Sequence, residues 1–296
     1  MADEADSGTS RGVRRWVAVW VLVAAGIATG GCRREAKIRF SPHEDDYQTK
    51  PDFARLEHDL PLSRSELASL SPADFNRMTQ EQIDQIYARL TAGPIPDGAY
   101  EGSIVFAKGG GLKRAGEILG GVNGLGVRLL ATKLDFLGEA IWKGKVFYRD
   151  KMVLRNLIRD RMLLKAALGL EPDGFMKTTF DGKDAWLLFP AKLYCGQSLL
   201  DSRRESLIID YAFTDEIEGY RENPDYLAGR RGLQVRDEVR MIRPGLYLGR
   251  AYLGRVFALN FTLYNEAVAK AGLAPFVETG RIDEDCGVGA QRLVAN

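Results

Sequence analysis

The residues with the most chemical potential are charged groups that fall on apolar strand faces. In 234–242 side chains alternate between two faces. Val235, Val239 and Met241 share one with Asp237, while Arg236, Glu238 and Arg240 share the other. Asp237 is thus a carboxylate on a core-directed face. A slip by one residue would bury Arg236, Glu238 and Arg240 together, which costs far more. These three are expected to form a solvated face. In 255–263 the apolar row is Phe257, Leu259, Phe261 and Leu263, and Arg255 begins it. Arg255 is therefore the first expected partner of Asp237, because a buried carboxylate needs a donor. Asp210, Tyr211 and Tyr247 lie on neighbouring strand segments. Together these residues would make a mostly apolar interior with a few placed polar groups, the composition of a ligand pocket. The same set also reads as a structural ion pair inside a packed sheet.

Other chemistries find little support. His43 and His58 are the only histidines, and both precede the strands. No Cys/His spacing suits a metal, so neither a metal nor a cofactor is expected. A Ser-His or Cys-His nucleophile pair is disfavoured for the same reason, and no catalytic residue is assigned. Gly109-Gly110-Gly111-Leu112-Lys113 lacks phosphate-loop spacing. Lys and Arg number 41 against 40 Asp and Glu, so no basic surplus exists to hold nucleic acid.

Three cysteines remain to be explained. Cys195 and Cys286 could close one disulfide, worth roughly 4 kcal/mol in the chain-entropy model, or could be two unrelated thiols. Cys32 stands apart. Arg11, Arg14 and Arg15 precede an uncharged, mostly apolar run at 16–28, and Thr29-Gly30-Gly31-Cys32 follows at once. The run is too short for a spanning helix and suits the hydrophobic region of a signal peptide. The four residues 29–32 resemble the lipobox of bacterial lipoproteins, with Thr29 where an aliphatic residue is usual. The resemblance implies cleavage before Cys32, acylation of that cysteine, and a membrane partner reached through a lipid anchor. Arg33 in place of an Asp implies, by similarity to enterobacterial sorting, an outer-membrane location facing the periplasm. An ordinary signal peptide with a chance Cys, or an uncleaved anchor, is the alternative.

The elements that must position these groups follow from periodicity and turns. Residues 1–31 are the signal segment and 32–52 a polar tether. Residues 53–94 read as helical, with Ser71-Pro72 and Thr79…Gln82 as helix starts. An antiparallel β domain is expected over 95–270 and a tail over 271–296. Strands are expected at 100–107, 145–148, 176–180, 184–189, 191–196, 204–212, 234–242, 246–252 and 255–263. Asp181-Gly182, Arg243-Pro244-Gly245 and Gly254 mark turns. Residues 112–141 suggest a helical insertion, where Gly116, Gly120 and Gly124 repeat at four residues. Residues 151–168 read as a strong helix. The fold class is therefore α+β: an antiparallel meander or curled barrel with an N-terminal helical segment and a helical insertion.

Gly98-Ala99-Tyr100, Trp142-Lys143-Gly144-Lys145 and Arg243-Pro244-Gly245-Leu246-Tyr247-Leu248-Gly249 resemble bacterial proteins with lipocalin-like (calycin, GxWxG-type) barrels, over about 95–265. Ala140 stands where the first Gly of that motif would be. The resemblance implies that Tyr100, in place of a Trp on the first strand, packs against a basic residue on the last, with Arg255 as the candidate. It also implies binding of a small apolar or amphipathic ligand. Two other functions stay open: a structural or interaction lipoprotein with a filled core, and an enzyme using carboxylates with Arg and Tyr.

Overall fold

The computed structural model describes residues 37–42, 50–108, 142–159, 165, 174–287 and 293–294. The signal segment, Cys32, the proposed insertion at 112–141 and its glycine repeat lie outside the described residues.

Nine strands make one antiparallel sheet. They are β1 (Gly98–Val105), β2 (Trp142–Tyr148), β3 (Val153–Ile158), β4 (Lys177–Phe180), β5 (Lys183–Gln197), β6 (Glu205–Asp210), β7 (Val235–Arg243), β8 (Leu246–Leu253) and β9 (Val256–Tyr264). The order runs β3-β2-β1-β9-β8-β7-β6-β5, and β3 also pairs with β5. That last pairing closes an eight-stranded barrel and leaves β4 as a short flap on β5. Closure removes the unpaired edges that an open sheet would expose. The turn residues act as expected. Asp181 and Gly182 both take positive φ in a two-residue hairpin, and Gly245 sits at φ +75° after Pro244.

One hydrophobic cluster takes side chains from all eight barrel strands, among them Tyr100, Phe147, Leu154, Leu193, Val239 and Phe261. Only the inside of a closed barrel brings them together. An eight-stranded barrel is just wide enough for such side chains to fill it.

Outside the barrel, helices α1 (Phe53–Asp59), α2 (Arg64–Ser69) and α3 (Gln80–Ala88) form a layer with the 3-10 turn Pro72–Arg77. Ser63 and Thr79 each close a capping box, with Glu66 and Gln82 as the reciprocal partners. Ile83, Ile86 and Leu90 pack on Ile242 and Leu248 of the barrel wall. The face of β7 expected to be solvated is therefore covered: Glu238 and Arg240 are both fully buried. Alternation along a strand shows which residues share a face, and it does not show that a second layer lies on that face.

Two further expectations are corrected. The helix expected over 151–168 is instead strand β3 over Val153–Ile158 in its first part, while 160–164 and 166–168 lie outside the described residues. Five of the strand's six residues are buried across both faces, and such a run matches helical and strand patterns equally well. The segments 184–189 and 191–196 are one strand. Phe189 takes φ +50° before Pro190, and its N–H donates to Asp225 (2.7 Å), so the chain bends without leaving the sheet.

Helix α4 (Glu266–Thr279) leads to a strap at 281–287 that crosses one end of the barrel. Glu284 accepts from Thr91 and from the Gly93 N–H (2.8 Å). Asp285 accepts from the Ile95 N–H (2.7 Å) and from Arg149. Ile282 packs on both the inner and outer cores. Cys286 is bonded to Cys195 on β5, with Cα atoms 5.3 Å apart and a sequence separation of 91. Residues Glu35–Asn296 form one compact unit. Reducing this bond, or replacing both cysteines by Ser, should lower stability by about 4 kcal/mol. Urea unfolding with and without reductant measures the shift.

Candidate functional site

Among the described residues the barrel interior holds one buried charge cluster. The Lys145 ammonium on β2 meets the Asp237 carboxylate on β7 at 2.9 Å. It also donates to Asn156 Oδ1 on β3 (2.9 Å) and to the Tyr211 hydroxyl just beyond β6 (2.7 Å). An ammonium has three N–H groups, and all three are used. Asn156 donates in turn to Tyr211 (2.9 Å) and to the Phe189 carbonyl (3.0 Å), and it accepts from Trp142 Nε1 (3.0 Å). The rings of Trp142, Tyr211 and Phe261 surround the ammonium, with centroids 5.4–5.5 Å away. Cation–π attraction of this kind adds to the ion pair when both are desolvated.

The local backbone explains how these groups meet. The β2–β3 register shifts between Trp142 and Gly144. This bulge lets Trp142 face inward beside Lys145 and Phe147. Gly144 is required there: a Cβ would lie 2.0 Å from the Tyr100 carbonyl oxygen.

The expected site residues divide. Asp237 and Tyr211 belong to the cluster. Tyr247 is also inside, but it donates to the Pro94 carbonyl (2.7 Å) and packs edge-on against Tyr100 (5.8 Å) nearer the strapped end. Asp210 is not inside. Leu207, Ile209 and Tyr211 take the inner positions, so Asp210 faces out and accepts from Tyr194 (2.8 Å) and the Ala212 N–H (2.8 Å). Arg255 is exposed in the two-residue turn between β8 and β9. A bulge between Phe257 and Leu259 then reverses the parity of the row. Phe257 consequently lies on the outer face, against Arg250 (4.2 Å). Tyr100 packs on Phe147 and Tyr247, not on a basic residue from the last strand. The missed partners, Lys145 and Asn156, had a usable signal. Lys145 and Phe147 share a face by simple alternation.

A second buried network joins the barrel wall to the helical layer. Arg240 donates to Ser206 (2.9 Å) and to the carbonyls of Tyr87, Asp201 and Arg204 (2.9–3.1 Å). Arg250 pairs with Asp84 and donates to Tyr252 (3.0 Å). Glu238 accepts from the Leu199 N–H (2.8 Å). These contacts are structural in form, since most bind the chain's own backbone.

A groove of about 260 Å³ runs between the 3-10 turn and the outer face of β1 and β9, lined by residues including Asn76, Glu101 and Thr262. Cys195, Glu205 and Cys286 are close enough to suggest a metal, but the two sulfurs are already bonded to each other.

No family model matches the chain, and no curated protein matches it. A solved structure titled "Crystal structure of protein from Thermomonospora curvata" is similar over 65% of this chain and 91% of its own, with 18% identity and a TM-score of 0.36. A likeness of that degree says nothing about function.

Burial drives the Lys145 pKa down, but Asp237 and the Tyr211 phenol outweigh it and hold the pKa above the ordinary lysine value. Burial pushes Tyr211 up to about 12. Both folded pKa values exceed the unfolded ones. Their contribution to stability is therefore complete below pH 10 and is lost as pH rises through the folded values. Lys145→Met should flatten the alkaline fall in stability seen in a denaturation series from pH 8 to 12. At pH 7 the single change should cost roughly 3–5 kcal/mol by orphaning Asp237. Pairing it with Asp237→Leu should recover much of that loss, which a double-mutant cycle will measure.

Proposed function

We propose that this chain is a lipid-anchored envelope protein whose barrel is a filled scaffold acting through its outer surface. The observation that carries the second half is the saturated Lys145 ammonium. Its three donors end on Asp237, Asn156 and Tyr211, so among the described residues the ammonium inside the barrel has no N–H left for a ligand. Apolar side chains from all eight barrel strands pack together in the described interior.

The anchor rests on the arrangement of the basic stretch, the apolar run and Cys32. The Cys195–Cys286 bond is at home in an oxidising compartment such as the periplasm, and Arg33 favours the outer membrane. Among the described residues no helix is long and apolar enough to cross a membrane.

One observation favours a second reading, a shallow site for a small apolar or amphipathic ligand in a lipocalin-like barrel. Trp142, Phe189, Val235 and Leu259 pack on the inner core at the end opposite the strap, yet each is only partly buried.

Native mass spectrometry of the purified protein separates the two. The filled-scaffold reading expects the chain with its acyl groups and no further mass. A stoichiometric small molecule, lost on Trp142→Ala, would establish the ligand reading instead. For the anchor, Cys32→Ser should abolish palmitate incorporation and either release the chain from the membrane fraction or stall its precursor. A variant that stays processed and fully membrane-bound contradicts lipidation.

A further inference from the structure

Within the segment expected to be a polar tether, residues 37–42 are fastened to the folded body. Ile38 is buried in the outer core among Leu62, Leu67 and Ile83. Ser41 and Gln85 exchange two hydrogen bonds, from the Ser41 N–H to Gln85 Oε1 and from Gln85 Nε2 to the Ser41 carbonyl, each 2.9 Å. Arg89 donates to the Arg39 carbonyl (3.3 Å) and to the Leu60 carbonyl (2.6 Å), and its guanidinium stands over the Phe40 ring. Gln85 and Arg89 lie at the C-terminal end of α3. That helix is bolted to the barrel wall by Asp84–Arg250 and by the Arg240 bond to the Tyr87 carbonyl.

Two consequences follow. Five residue steps separate Cys32 from Lys37, and fully extended chain covers about 18 Å over that length. Strand β7 alone, at nine residues, is about 30 Å long. A lipid on Cys32 would therefore hold the barrel on a leash shorter than the barrel itself. The flank it holds is the one carrying α1 and α3. The edge of that flank nearest Cys32 in the chain is basic: Lys37 and Arg39 are exposed, while Ile38 between them points into the core; on α1 itself Arg55 is balanced by Asp59. Across 33–40 the sequence has four basic residues and the single acid Glu35.

We propose that this α1–α3 flank lies directly on an anionic phospholipid surface, with Lys37 and Arg39 as its contact cations. The proposal rests on the lipid-anchor reading for its biological setting and on the fastened segment for its geometry. Cations near such a surface contribute about 1 kcal/mol each, roughly fivefold in partitioning, so two account for roughly thirtyfold.

The test uses the chain from residue 32 onward with Cys32→Ser, which contains the whole compact unit and no acyl group. It is sedimented with vesicles of equimolar phosphatidylglycerol and phosphatidylcholine, and with phosphatidylcholine alone. The expected result is binding to the mixed vesicles only, weakening as salt rises to about 0.5 M, where screening is strong. Lys37→Glu with Arg39→Glu should lower the partition coefficient at least thirtyfold, with an unchanged thermal midpoint. Should that midpoint fall, Lys37→Gln with Arg39→Gln replaces it, with roughly thirtyfold expected. Equal binding to both compositions, binding to neither, or undiminished binding of the folded variant overturns the proposal. Because this chain carries no lipid, that failure leaves the anchor standing. Absence of palmitate on wild-type Cys32 refutes the anchor and leaves the vesicle result untouched.

Discussion

The ammonium of Lys145 is the fixed point of this molecule. In the cyclic order of eight strands, β2 and β7 stand opposite each other, so the Lys145–Asp237 pair is a strut across the lumen. Asn156 and Tyr211 tie β3 and the end of β6 to the same point. An unpaired buried charge would cost several kcal/mol. The strut is therefore tolerable only if all its partners arrive together, and that requirement ties barrel closure to barrel register. A one-residue slip in β7 would replace Asp237 by Arg236 or Glu238 and leave the ammonium facing the wrong group. A buried pair of this kind is weak evidence for net stability, since well-packed apolar residues of similar volume often replace one without loss.

The outer wall applies the same logic a second time. Arg240 and Arg250 are buried between the barrel and α3, and their bonds end on backbone carbonyls, hydroxyls and Asp84. Burial lowers the Arg240 pKa. For Arg250, burial is outweighed by Asp84, which holds the guanidinium firmly charged. Strand β7 consequently carries polar groups on both faces and is buried on both. The helical layer is an integral wall of the protein. The strap at 281–287, locked by its disulfide, closes one end, and the half-buried aromatic residues mark the other.

The sequence reveals more of the topology than of the site. Turn chemistry at Asp181-Gly182, Pro244-Gly245 and Gly254 is local, and it suffices to read an antiparallel meander. Alternation over 235–241 suffices to direct Asp237 inward. What alternation misses is any place where the count changes. The bulge at Gly144 turns Trp142 inward, and the bulge before Leu259 sends Phe257 outward. An unbroken count therefore sets Arg255 in the interior, when it lies in a solvent-exposed turn. The covering of Glu238 and Arg240 is likewise a tertiary fact, produced by helices some 150 residues earlier in the chain. The strand Val153–Ile158 fails as a helix for a related reason: burial on both faces erases the periodicity that separates the two structures.

The Lys145–Asp237 pair inside the barrel is a satisfied structural strut with no part in ligand exchange. Side-chain nitrogen NMR of 15N-lysine-labelled protein at pH 7 addresses it most directly. One ammonium resonance, absent in Lys145→Arg, is expected, whose protons exchange with water far more slowly than those of surface lysines and which does not move when fatty acids or detergent monomers are added. A Lys145 signal in fast exchange with solvent, or one that shifts in saturable fashion with an apolar ligand, would contradict it.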